Sequence, residues 1–87
     1  MAYPFREYVQ AVLKARGVEA ALAACEAKLA LIPNFAAAFL ERGVIRERLG
    51  QRDAALADYL RAQYAAKPGT PLWNEARQRR QAVRAGP

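Results

Sequence analysis

Along this chain apolar side chains return every three or four positions, and glycine or proline cuts each run. Tyr3 to Arg16 carries Phe5, Tyr8, Val9, Val12 and Leu13 on one stripe, with Pro4 suited to a first turn and Gly17 as a stop. A second helix is expected from Val18 or Glu19 to Leu31, with Ala21, Leu22, Cys25, Leu29 and Ile32 at helical spacing and Pro33 barring continuation. Asn34 is expected to cap a third helix, which carries Phe39, Leu40, Val44, Ile45 and Leu49 before Gly50 ends it. Asp53 suits the first turn of a fourth, whose apolar face, Ala55, Leu56, Tyr59, Leu60 and Ala62, is predicted to lie opposite Arg52, Asp58 and Arg61. After Pro68-Gly69, Thr70 as cap and Pro71 at the first position open a fifth helix, mostly polar beyond Trp73 and running to about Arg84. Nothing alternates long enough to be a strand, so the chain is expected to be all-α, one domain over residues 1–87.

The elements repeat. Phe5, Phe39 and Trp73 are evenly spaced, Glu7, Glu41 and Glu75 keep the same interval, and Ala20-Ala21-Leu22-Ala23 matches Ala54-Ala55-Leu56-Ala57 at that shift without a gap. A two-helix unit of about 34 residues, with an early aromatic, a small residue after it and a proline near its end, resembles the tetratricopeptide repeat. The central unit carries the resemblance in Phe39, Gly43 at the small position, Leu49-Gly50 at the turn, and Ala55, Tyr59 and Ala62 along its second helix. The resemblance implies a right-handed α-α superhelix of about five helices. Its parts are a degenerate repeat over about 2–33, a repeat over about 34–68 and a capping helix over about 70–85. In the first unit Val9 takes the place of Gly43, Cys25 that of Tyr59 and Lys28 that of Ala62. In the central unit Arg46 replaces a usual large apolar residue, and Pro68 lies one residue later than Pro33 does in the first.

Proteins of this kind hold an extended peptide or a partner helix in the concave groove of their first helices. Carried over position by position, the groove takes Arg6, Gln10, Leu13 and Lys14 from the first unit and Leu40, Val44, Glu47 and Arg48 from the second. The third adds Asn74, Gln78 and Gln81. Arg6, Lys14 and Arg48 are expected to meet acidic side chains or a terminal carboxylate, and Leu40 and Val44 an apolar anchor. Glu41 stands where carboxylate-clamp members of the family carry asparagine, so a clamp on a chaperone tail is not implied. The expected function is a non-enzymatic protein–protein interaction module.

Composition narrows the alternatives. The chain has no histidine and one cysteine, Cys25, which removes the usual zinc, haem and catalytic-triad ligands and any internal disulfide, so no cofactor or metal is expected. No nucleophile with a base is visible. The net charge of +6 admits an acidic peptide, nucleic acid or anionic lipid as partner and does not choose among them. Residues 1–33 contribute +1, residues 34–69 +2 and residues 70–87 +3. Arg77, Arg80 and Arg84 share one face of the last helix, where they complement its C-terminal dipole and offer a basic patch. A small nucleic-acid-associated protein is therefore an alternative, although no aromatic or glycine pattern for nucleic acid accompanies the patch. A homodimer is another, through the alanines at Ala36, Ala37 and Ala38. No apolar run reaches membrane-spanning length and no signal-peptide core follows the start, so a cytoplasmic protein is expected.

Overall fold

Pro4 lacks the backbone N–H that a first helical turn leaves unused, and α1 begins there, Pro4–Arg16, in the computed structural model, which describes residues 4–86. The expected start at Tyr3 and the repeat boundary at residue 2 lie outside these residues. Gly17 breaks the chain with a φ of 96°, and α2 follows, Val18–Leu31. Next come α3, Ala36–Arg48, α4, Arg52–Ala65, and α5, Pro71–Ala85. Every element among the described residues is helical, as the periodicity requires.

Two local expectations are corrected. Asn34 does not cap α3: the cap position is Phe35, without a side-chain cap bond, and the turn is closed instead by the Phe35 N–H donating to the Ile32 carbonyl. Ile32 does not extend the buried stripe of α2, because it is already the residue after the helix and is exposed. Thr70 does cap α5, its hydroxyl accepting from the Trp73 N–H with Pro71 in the first turn. The far end of α5 is closed from another helix: Arg52 of α4 donates to the Val83 and Arg84 carbonyls, groups that a helix end leaves unpaired.

Helix α3 is the shared wall. Its Ile45 joins Val9 of α1 and Ala21 and Cys25 of α2 in one apolar cluster, while its Leu40 joins Ala55, Tyr59 and Ala62 of α4 and Ala76 and Val83 of α5 in another. Besides its hairpin partner α4, α3 therefore packs against α1, α2 and α5. The close approach of α3 and α4 rests on Gly43: a Cβ there would lie 2.7 Å from Cε1 of the Tyr59 ring. Arg77 takes the same position in the third unit, so a helix packed on α5 as α4 packs on α3 would meet an arginine at that point.

Of the alanines expected to face a second copy, Ala37 and Ala38 are buried within this packing and Ala36 is half-buried. Cys25 is fully buried, and burial, aided by the Glu41 charge, pushes its thiol up to about 12. The expected result is that a thiol reagent at pH 8 labels Cys25 only at the rate of unfolding. Labelling in the native protein as fast as in concentrated guanidinium chloride contradicts the packing of α2 against α1 and α3.

Candidate functional site

The face expected to hold a ligand is built from the first helix of each unit, α1, α3 and α5, and its most prominent feature is internal. Arg6 of α1 donates through Nε to Glu41 of α3 at 2.9 Å and through Nη2 to Glu75 of α5. Glu75 is also held by Arg79, one turn along α5, at 2.7 Å. Two of the three evenly spaced glutamates therefore converge on one guanidinium, tying three helices together, while Glu7 is exposed. Burial pushes the Glu41 carboxyl above the usual range, Arg6 offsetting only part of it. Burial alone would raise Glu75 as well, but hydrogen bonds from Arg6 and Arg79 hold it below the usual range.

The opposite shifts predict different pH behaviour. A carboxyl held low in the fold contributes stability that is present above its unfolded value, near 4.5, and lost as pH falls through the lower folded value. Glu75→Gln is therefore expected to lower the melting temperature at pH 7, with the gap to wild type closing below pH 4.5. Glu41→Gln removes a charge that burial already disfavours, so it is expected to cost less at pH 7. Melting curves from pH 3 to 7 for both variants check this; equal losses at pH 7 contradict it.

These contacts change the roles of several expected groove residues. Arg6 is engaged by Glu41 and Glu75 and is not a ready-made site for a ligand carboxylate. Leu40 is 0 % exposed, part of the α3–α4–α5 core, and so cannot serve as an apolar anchor. Leu13 and Val44 are half-buried against the two cores. Glu47 accepts from the Tyr59 hydroxyl at 2.6 Å. Gln10, Lys14, Arg48, Asn74, Gln78 and Gln81 are exposed, the Asn74 amide donating weakly to the Gly69 carbonyl. In the basic patch Arg77 and Arg84 are exposed, with the Arg77 guanidinium 5.8 Å from the centre of the Trp73 ring, whereas Arg80 is half-buried.

A second ionic centre lies where the sequence pattern gives no sign of one. Asp58, expected on the polar face of α4, is 0 % exposed. It accepts from Nε and Nη2 of Arg42 at 3.0 and 2.9 Å, and from Nη1 of Arg46 at 2.9 Å. Arg61 adds a weaker contact at 3.5 Å. Arg46, which the sequence shows in place of a large apolar residue, thus serves this aspartate. A buried carboxylate needs such partners, since desolvation is otherwise prohibitive.

Exposed apolar side chains gather elsewhere, at the edge where each second helix ends and the next first helix begins. Leu31 and Tyr64 are 81 % and 82 % exposed, and Tyr8 is 54 %. One cleft of about 450 Å³ lies between α1 and α2, walled by Phe5, Tyr8, Leu31 and Phe35 with Lys28 above the Phe35 ring at 4.8 Å. A second, of about 460 Å³, lies between Phe39, Arg61 and Tyr64. A third, of about 390 Å³, lies between Tyr64, Trp73, Gln63 and Arg80. Among the described residues no helix is long and apolar enough to cross a membrane. No family model matches the chain, and comparison with curated proteins and with solved structures finds no match either, so the resemblance to tetratricopeptide repeats rests on the residues alone.

Proposed function

We propose that this protein is a non-enzymatic protein–protein interaction module, a short right-handed superhelix of two tetratricopeptide-like hairpins and a capping helix that binds a peptide or helix of a partner. The observation that carries it is the Arg6 bridge, which fixes α1, α3 and α5 to one another while leaving polar side chains of those helices exposed. A surface fixed before binding loses less conformational entropy on association. Lys14 and Arg48 are exposed and occupy the same position in successive units, and Gln10 and Gln78 likewise match at twice the repeat. With Arg6 and Leu40 committed to the fold, this face is polar and basic, so it suits an acidic or neutral polar segment better than an apolar anchor.

Affinity capture from the source cell, with wild type and Lys14→Glu/Arg48→Glu as baits, tests the assignment of the face. Loss of a bound protein by the charge-reversed bait, with unchanged melting temperature, is the expected result. A partner set unaffected by both substitutions removes the groove as the binding face.

A further inference from the structure

The linings of the three clefts at the edge adjoin one another. The first is walled by Phe35 and the second by its neighbour Asn34, and the second and third share Tyr64. The clefts follow the repeat, because the evenly spaced Phe5, Phe39 and Trp73 each wall one of them. Each cleft also has one cation on its wall, Lys28, Arg61 or Arg80, and none has an acidic residue there, although Arg61 also makes the 3.5 Å contact to Asp58 behind it. Of the large apolar side chains that stand exposed among the described residues, Tyr8, Leu31, Ile32 and Tyr64 belong to this edge or adjoin it, and only Leu49 lies apart.

The charge of the C-terminal part of the chain points the same way. From Tyr59 onward the chain has six Lys or Arg, Arg61, Lys67, Arg77, Arg79, Arg80 and Arg84, against one acidic residue, Glu75. Glu75 is itself taken by Arg6 and Arg79. At the third cleft two shielded polar atoms, Nε of Arg80 and Oε1 of Gln63, have no partner among the described residues. Half-buried and exposed aromatic walls next to single cations suit a ligand that alternates apolar and acidic side chains, the apolar ones filling the clefts and the acidic ones meeting the cations.

We infer that this edge docks an extended segment of another protein in which acidic residues alternate with leucine, isoleucine or aromatic residues. At about 3.3 Å per residue, a segment of roughly nine residues spans the 31 Å length of the molecule. The aliphatic exposure at Leu31 and Ile32, with a single cation per cleft, fits such a peptide better than a phosphate backbone, which asks for rows of cations. The site is separate from the first-helix face, and either surface can fail a test without the other.

A phage-displayed library of random dodecapeptides, selected on the full chain, tests this docking. Enriched peptides are expected to combine Asp or Glu with Leu, Ile or Phe, and a resynthesised peptide to change the fluorescence of Trp73, the only tryptophan. Tyr64→Ala and Leu31→Glu alter exposed side chains, and each is expected to weaken that binding at least tenfold with the melting temperature unchanged. Lys14→Glu/Arg48→Glu is expected to leave it within twofold. No enrichment, an enriched set without acidic residues, or a loss confined to the Lys14/Arg48 variant overturns the inference. So does tighter binding of a short oligothymidylate than of any selected peptide, or a dimer in light scattering that Tyr64→Ala dissociates.

Discussion

Asp58→Ala is expected to destabilise the fold by about 3 kcal/mol, the largest loss of any single change considered. The substitution deletes a fully buried carboxylate and leaves Arg42 and Arg46 facing its place, with side chains only 14 % and 23 % exposed. Their partial exposure lets water recover some of the lost hydrogen bonding, which keeps the loss at the low end for a broken buried pair. A chain of 87 residues has on the order of 5–10 kcal/mol of stability, so the variant retains little margin. Arg46→Leu is expected to cost under about 1 kcal/mol, because the two-pronged contact from Arg42 remains and leucine returns the position to an apolar residue. A double-mutant cycle between Asp58→Ala and Arg42→Ala by urea unfolding is expected to show a coupling of at least about 1 kcal/mol. Additive losses contradict the contact as the cause.

Gly43→Ala is expected to lower stability by about 2 kcal/mol, or roughly 10 °C in melting temperature, although alanine is the better helix former by about 1 kcal/mol. The new methyl would lie 2.7 and 2.8 Å from two ring carbons of Tyr59 and 3.3 Å from Cβ of Asp58. Neither neighbour gives easily. The Tyr59 ring is 0 % exposed and its hydroxyl is anchored on Glu47, while Asp58 is fixed by its arginines. Relief comes only from separating α3 and α4, which thins the core at Leu40 and Ala55. In a Tyr59→Leu background the same glycine change is expected to lose most of its effect. An equal loss in both backgrounds rules out the ring as the obstacle.

Much of this architecture is legible in the residues alone. Helices marked by Pro4, Gly17, Pro33, Gly50 and Pro71 appear with bounds close to those read from periodicity, because these residues act locally. Gly43 is legible through the tetratricopeptide resemblance, whose small position it takes, and a close crossing of α3 and α4 is found there. The ionic centres are hidden for a physical reason. A helical wheel places Asp58 by polarity, and polarity alone puts it outside; only the three-dimensional arrival of Arg42 and Arg46 makes its burial tolerable. Arg6 reads as a ligand contact for the same reason, its partners lying 35 and 69 residues away. The one available signal is the recurrence of glutamate at 41 and 75, an acidic column beside a first-helix arginine. Leu40 is misplaced because carrying groove positions over from a family takes no account of this chain's own packing, in which that position is sealed between α4 and α5.

The proposed role of this small helical stack is to bind another protein. The most direct measurement is quantitative affinity capture from the source cell with three baits of equal thermal stability: wild type, Lys14→Glu/Arg48→Glu and Leu31→Glu/Tyr64→Ala. The predicted result is at least one protein retained by wild type and lost from one of the two variants, with direct binding of the purified pair confirmed by calorimetry. Three baits that retain the same proteins, each no more than an unrelated helical protein of equal charge retains, would contradict it.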